Sequence, residues 1–145
     1  ASASLPLAAR IVEIDGQKLL DGGMVDSIPL EFFEKLGYDK NVVVLTQPKG
    51  YRKDKNKLLP LIEKKFRNYP KLVEAIANRH VMYNSELDYI AKREADGNAF
   101  VIRPESALTI GRVEKNPEKL KSVYELGRLA AEKCIDDLKA FLETR

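Results

Sequence analysis

Asp21 is followed directly by two glycines, Gly22 and Gly23, at the end of the segment QKLL. A carboxylate placed at the end of a strand is a candidate catalytic group. The glycines beside it would let another backbone approach closely. The same tripeptide is also typical of a turn in which the aspartate caps a backbone N–H group. Both interpretations place Asp21 on a turn after a strand, and the tripeptide alone does not choose between them.

Three other side chains in the chain are of types that can take part in catalysis. Ser27 is the nearest hydroxyl side chain after Asp21, but Pro29 follows it, and the pair is typical of a helix start with serine as the cap. His80, the single histidine, lies within a helical pattern, which favours a surface or packing role. Cys134 is the single cysteine and is interpreted as a small core residue. One histidine and one cysteine are too few for the usual zinc sites, and we predict no metal and no cofactor.

A basic segment, PKGYRKDKNK, occupies residues 48–57. Runs of this kind are usually solvated loops. The alternative is contact with anionic lipid, where each basic residue near the surface contributes about 1 kcal/mol. Tyr51 alone does not make the aromatic platform that binds single-stranded nucleic acid, so we predict no nucleic-acid partner. The candidate lipid-contacting residues are Lys49, Arg52, Lys53, Lys55 and Lys57.

The helices and strands that position these residues are predicted from the spacing of apolar residues and from glycines and prolines that mark turns. With 145 residues, 44% hydrophobic and 32% charged, the chain fits one globular domain or a large piece of one. Asp15-Gly16 predicts a hairpin over residues 10–20, and Gly37 ends a helix that starts near Pro29. Residues 41–47, rich in valine, predict a strand covered on both faces, and residues 99–104 predict a second strand. No apolar run approaches the roughly 20 residues that span a bilayer.

The rest of the chain has a helical pattern. Two helices are predicted from residue 57 to residue 92, one before and one after Pro70, and the cap signal at Asn84 or Ser85 predicts a further helix start. Asn116 and Pro117 predict a long terminal helix running to residue 145. These patterns indicate an α/β chain with a helix-rich C-terminal half.

Several segments together resemble the C-terminal part of bacterial patatin-like phospholipases. The matching pieces are the Ala-Ser-Ala-x-x-Pro segment at residues 1–6, Asp21-Gly22-Gly23, Pro29, and the strand of residues 42–45 that ends in Thr-Gln-Pro. The segment VIRPESALTIGRVEKNPEKL is similar to a C-terminal extension of one bacterial branch. The resemblance implies a fragment of a three-layer α/β/α sheet. Residues 1–56 would end the catalytic domain, and residues 57–145 would form a helix-rich extension packed on it.

The resemblance also implies a serine acyl hydrolase that acts on phospholipids or other lipid esters through a Ser–Asp dyad. Asp21 matches the aspartate of that dyad, and Gly22 and Gly23 match its motif glycines. The Gly-x-Ser-x-Gly nucleophile motif and the glycine-rich oxyanion turn are absent, since none of the six serines is flanked that way. We therefore expect an enzyme whose other half precedes this chain, and an inactive chain in isolation.

The resemblance and the incomplete sheet lead to expectations about the cellular location and the oligomeric state. A lipid hydrolase of this kind predicts a cytoplasmic or peripheral-membrane protein. A sheet that lacks its neighbours predicts a homo-oligomer, formed by self-association or by pairing of the hairpin edge with a second copy. The alternative from another class is a non-catalytic regulatory or interaction module that binds a protein partner or an anionic membrane surface.

Overall fold

The structure is a computed structural model that describes residues 1–111 and 113–143. Helices and strands both occur, which confirms the mixed α/β class, and most of the C-terminal half is helical. The predicted end of the terminal helix at residues 144–145 lies outside the described residues. The elements in chain order are β1 (Val12–Ile14), β2 (Gln17–Leu19), a 3₁₀ turn (Gly22–Met24), α1 (Leu30–Lys35), β3 (Asn41–Val44), α2 (Leu59–Lys65), α3 (Pro70–Ala95), β4 (Ala99–Ile102), α4 (Pro117–Glu132) and α5 (Ile135–Glu143).

The chain divides into two compact units, each assembled from two segments. The first unit comprises residues 1–29 and 52–89, and the second comprises residues 30–51 and 90–145. Helix α3 contributes its first 20 residues to the first unit and its remainder to the second. The division at residue 56, which came from the family resemblance, stays a prediction.

The hairpin of the first unit is confirmed. Strand β1 pairs antiparallel with β2, with Val12 opposite Leu19. Asp15 and Gly16 have φ values of 51° and 74°. Two successive left-handed residues form the tight hairpin turn that Asp-Gly favours, because its twist matches that of the flanking strands. Strand β2 ends two residues before Asp21, so the hairpin sets the position of that residue.

A small hydrophobic core holds the first unit together. Ile62 lies on α2, and Phe66 follows the last residue of that helix, with its backbone N–H bonded to the Ile62 carbonyl. Both side chains are buried. They cluster with Ile76 of α3 and with Met24 of the 3₁₀ turn. Met24 therefore fastens the turn that follows Asp21 to the core. The partly buried side chains around this cluster are Leu5, Leu7, Ile11, Tyr69, Leu72 and Val73.

Helix α3 is continuous for 26 residues, so the predicted helix start at Asn84 or Ser85 is wrong. The side chain of Asn84 does not cap a helix. Its oxygen accepts a hydrogen bond from the Lys53 backbone N–H at 2.8 Å, and its amide nitrogen donates to the Lys53 carbonyl at 3.1 Å. A tertiary partner thus satisfies the polar group that suggested a helix end. The helix ends at Ala95, and Gly97, two residues beyond it, adopts φ +73°.

The second unit contains a two-stranded parallel sheet. Strand β3 pairs with β4, with Val42 opposite Phe100, and helices lie between the two strands along the chain. The strand predicted to reach residue 47 ends at Val44. The prediction that both of its faces are covered is wrong for the described residues: Val43 is 8% exposed, whereas Val42 and Val44 are 41% and 69% exposed. Alternate side chains point to opposite faces of a strand, so one face is packed and the other is open.

The helices of the second unit begin where the sequence predicts, but the terminal helix is interrupted. Gly37, at φ +93°, follows α1. The side chain of Asn116 accepts hydrogen bonds from the first backbone N–H groups of α4, and Pro117 occupies the first helical position. The predicted single helix is broken after Glu132, because the backbone N–H of Cys134 donates to the carbonyl three residues back, at Ala131, which tightens the last turn. Cys134 itself is half-buried.

Candidate active site

Asp21 lies two residues beyond β2 on a turn that its own side chain closes. One carboxylate oxygen, Oδ1, accepts a hydrogen bond from the Gly23 backbone N–H at 2.8 Å and so caps the 3₁₀ turn. The backbone N–H of Asp21 donates to the Ser4 carbonyl at 3.1 Å. The carboxylate is half-buried. The cap therefore uses one oxygen and holds the side chain in a defined orientation.

Asp21 lines an open groove with a volume of about 250 Å³. Most of the lining is apolar. At its polar side the Lys18 ammonium donates to the Tyr69 hydroxyl at 3.3 Å. A carboxylate beside an apolar groove is an arrangement that can bind an apolar molecule next to a base. The apolar lining residues are Ile11, Leu20, Met24, Val25 and Leu72.

The last residue of the motif, Gly23, is held by hydrogen bonds at its N–H and at its carbonyl oxygen. Its carbonyl oxygen accepts from the Arg79 Nε at 2.6 Å and from the Ser27 hydroxyl at 2.7 Å, which uses both lone pairs. A Cβ at position 23 would lie 3.1 Å from Asp21 Oδ1 and 3.6 Å from Arg79 Nη2. A side chain here would press on Asp21 Oδ1, which would have to move by a few tenths of an ångström, whereas the distance to Arg79 is an ordinary contact. A Cβ at Gly22 would meet nothing within 4 Å among the described residues.

Ser27 does not have the role that the sequence predicts. Helix α1 begins at Leu30, and the Ser27 hydroxyl donates backwards to Gly23 instead of capping that helix. Its backbone N–H donates to Oε1 of Glu86 on α3 at 3.0 Å. Ser27 is therefore part of the turn that carries Asp21.

Glu86 is the titratable side chain of this site whose ionisation the fold opposes. Its second oxygen, Oε2, is buried and has no hydrogen-bond partner among the described residues. Burial raises the pKa of Glu86, and the nearby carboxylate of Asp26 raises this pKa further, against the effect of the backbone N–H groups of Ser27 and Ile28.

Arg79 and Glu86 are the site residues that sequence reasoning missed. Both lie in segments for which the sequence predicts only helix. A separation of seven residues is close to two turns, so both side chains leave α3 on the same face. That spacing of opposite charges was the signal that could have singled them out.

The basic segment is partly bound to α3. Arg52 forms an ion pair with Asp88, and its Nη1 donates to the Asn84 carbonyl at 3.1 Å. The Lys53 ammonium lies 5.0 Å from the centre of the Tyr83 ring. The other three candidate lipid contacts, Lys49, Lys55 and Lys57, are exposed.

His80 takes no part in the hydrogen bonds given above for the Asp21 turn. His80 is half-buried, and its Nδ1 lies 3.0 Å from the Ala77 carbonyl oxygen of the same helix. Within residues 1–111 and 113–143, no three His, Cys, Asp or Glu side chains converge as metal ligands do. None of the helices in that part of the chain combines the length and apolarity needed to cross a bilayer.

Comparison with known proteins gives a match to a family model. Neither the curated proteins nor the solved structures include a match to this chain. A family model described as "Domain of unknown function (DUF6363)" matches residues 69–143, just over half of the chain. The matched region contains α3, with Arg79, Asn84 and Glu86. The chain therefore belongs to the DUF6363 family of domains of unknown function.

Proposed function

We propose that this chain is the C-terminal part of a patatin-like lipid acyl hydrolase and supplies Asp21 to a Ser–Asp dyad. The observation that carries the proposal is the turn itself: Asp21 is oriented by its bond to Gly23 and lies beside an open apolar groove. A lipid ester has an apolar chain for such a groove and a carbonyl carbon for a nucleophile. The serine and the oxyanion hole belong to an earlier part of the longer protein.

In this mechanism Asp21 acts as the general base. It accepts the serine hydroxyl proton while the serine oxygen attacks the ester carbonyl carbon, and it returns that proton to the departing alcohol. Water then repeats the sequence on the acyl-enzyme and releases the carboxylic acid. A carboxylate is a weak base, so most of the acceleration must come from close placement and from the oxyanion hole.

The open sheet supports the proposed three-layer α/β/α architecture. Parallel sheets are normally covered on both faces, yet Val42 and Val44 of β3 are exposed. Strand β4 is the only sheet partner of β3 in the described part of the chain. An earlier segment of the longer protein would add strands and a covering layer.

The basic segment gives the proposed enzyme a route to its substrate. Lys49, Lys55 and Lys57 are exposed, while Arg52 and Lys53 attach the segment to α3. Exposed lysines attract anionic lipid headgroups. We therefore include peripheral membrane contact, from a cytoplasmic location, in the proposal.

The first prediction concerns Asp21→Asn in the longer protein. The amide keeps the shape and can still accept the Gly23 hydrogen bond through its oxygen, but it cannot take the serine proton. We expect kcat on a nitrophenyl ester to fall by a factor of about 10²–10⁴, the usual contribution of a general base. Steady-state kinetics on purified protein measure this.

Two comparisons complete that experiment. Asp26→Asn removes an exposed carboxylate close to the same turn and should leave kcat within a few-fold of wild type. The 145-residue chain alone should not react with a fluorophosphonate probe, because it has no elbow serine. Normal turnover by Asp21→Asn, or stoichiometric labelling of the isolated chain, contradicts the proposal.

A second candidate, a non-catalytic interaction module, is favoured by the exposed apolar side chains of helix α4. Helix α4 has no buried residue, and the apolar side chains of Leu120, Tyr124, Leu126 and Leu129 are between 46% and 61% exposed. Apolar side chains left exposed on a helix are available for contact with another protein. The sequence that precedes Ala1 separates the two candidates: a Gly-x-Ser-x-Gly motif there supports the enzyme, and its absence supports the module.

A further inference from the structure

The turn that carries Asp21 is attached to α3 through one arginine. The Arg79 Nε donates to the Gly23 carbonyl at 2.6 Å, and the Gly23 N–H donates to Asp21 Oδ1 at 2.8 Å. These two hydrogen bonds form a short path from the helix to the carboxylate. Arg79 does not bond to Asp21 in this path, so its influence acts through Gly23.

A second contact on the same helix face reinforces the first. Glu86 accepts the Ser27 backbone N–H at 3.0 Å, and the Ser27 hydroxyl donates to the same Gly23 carbonyl. Residues 23–27 are thus held at two places by side chains of α3. The turn has backbone hydrogen bonds of its own, from the Met24 N–H to the Asp21 carbonyl and from the Val25 and Asp26 N–H groups to the Gly22 carbonyl. The two α3 side chains add the bonds that attach this turn to the helix.

We propose that Arg79 is a positioning residue that holds the Asp21-Gly22-Gly23 turn in its catalytic geometry, so that helix α3 of the DUF6363 region acts as the support of the active-site base. This inference rests on the proposed function. It assigns to the family region a task in the reaction: the region supplies the guanidinium that orients the base, while the nucleophile comes from elsewhere in the longer protein.

Displacement of the Asp21 carboxylate would lower the reaction rate. Without the guanidinium, the Gly23 carbonyl loses one of two donors, and the adjoining peptide can rotate. The peptide unit of this carbonyl also carries the Met24 N–H, which donates to the Asp21 backbone carbonyl at 3.3 Å. Its rotation therefore weakens a bond that holds the backbone of Asp21 in place. Misplacement of a reacting group by about 1 Å can cost on the order of 100-fold in rate, whereas substrate binding in the groove does not involve Arg79.

The test uses the longer protein and a soluble nitrophenyl ester. Arg79→Met should lower kcat by about 10- to 100-fold with little change in KM, and it should slow fluorophosphonate labelling by a similar factor. Arg93→Met is the matched control, since Arg93 is a half-buried arginine of the same helix that pairs with Glu34 and has no bond to the turn. It should destabilise the protein without a comparable loss of kcat.

Chemical rescue distinguishes positioning from general destabilisation. In Arg79→Ala, added guanidinium ion at sub-denaturing concentration should restore part of kcat by occupying the vacated position. An unchanged kcat in Arg79→Met, an effect on KM alone, an equal loss of kcat in Arg93→Met, or a folded Arg79→Ala that guanidinium does not reactivate would each overturn the inference. If Asp21→Asn also keeps full activity, the proposed function itself fails, and the two failures are thereby distinguished.

Discussion

Glu86 combines two opposed requirements. Its Oε1 is useful as the acceptor for the Ser27 backbone N–H, but burial disfavours its charge and raises its pKa. A glutamine would keep the acceptor oxygen and remove the charge. Comparison of Glu86 with glutamine at this position therefore measures how the charge of the carboxylate affects the free energy of unfolding.

We predict a specific pH dependence for Glu86→Gln. A raised pKa in the folded chain means that the folded state binds the proton more tightly than the unfolded state does. Wild-type stability should therefore fall as pH rises from the ordinary glutamate value of 4.5 through the raised value, and Glu86→Gln should lack this decline. Urea midpoints measured across that pH range give the comparison.

The control for this prediction is Glu74→Gln, which changes an exposed glutamate of the same helix. Its midpoints should follow those of wild type at every pH. Parallel curves for wild type and Glu86→Gln would contradict the assigned cause, because they would mean that the Glu86 carboxylate is equally easy to ionise in the folded and unfolded chain.

At the scale of elements, α3 organises two loops that precede it in the chain. One face of the helix holds the Asp21 turn through Arg79 and Glu86, and Asn84 holds the basic segment at Lys53. The helix thus serves as a support for neighbouring segments as well as a wall of the core. Polar side chains of α3 are therefore used to bind these two segments.

We predict that Asn84→Ala releases the basic segment. Both backbone groups of Lys53 lose their partner, and since each hydrogen bond contributes about 1 kcal/mol net, the free energy of unfolding should fall by about 1–2 kcal/mol. Amide exchange at residues 52–57 should accelerate. Ser85→Ala, an exposed neighbour on the same helix, should change neither quantity; equal exchange in the two variants would count against the contact.

At the scale of the whole molecule, the exposed face of β3 predicts self-association of the isolated chain. Val44 is 69% exposed on a two-stranded sheet, and exposed apolar strands pair with other chains. We expect sedimentation at micromolar concentration to show oligomers, and we expect Val44→Lys to shift them toward monomer. The hairpin edge at residues 10–20 is the other predicted site of pairing.

Val113→Lys is the matched control, because Val113 is 78% exposed and lies outside the strands. It should leave the distribution of species unchanged. A wild-type chain that sediments as a clean monomer and binds no dye specific for apolar surface would contradict this prediction. It would also favour the interaction-module candidate, since the chain would then be self-sufficient.

The local sequence by itself determined the turns and the helix ends. Asp15-Gly16 specifies its hairpin, and Gly37 and Gly97 stop helices, because left-handed backbone is accessible to few residue types. Asn116 and Pro117 start α4 through a side-chain cap and a preset φ. The turn that Asp21 caps is local in the same way, since an aspartate before glycines favours such a turn. All of these depend on interactions within a few residues.

The tertiary structure alone decided how distant residues meet. The sequence predicted a helix break at Asn84, but a bond to Lys53, 31 residues away, satisfies the side chain and the helix continues. Arg79 reaches Gly23 across 56 residues, and no local pattern states that pairing. Exposure of Val44 depends on what covers the sheet, which a run of valines cannot specify. Burial and long-range hydrogen bonds are properties of the packed chain, so the support of Asp21 became visible only in three dimensions.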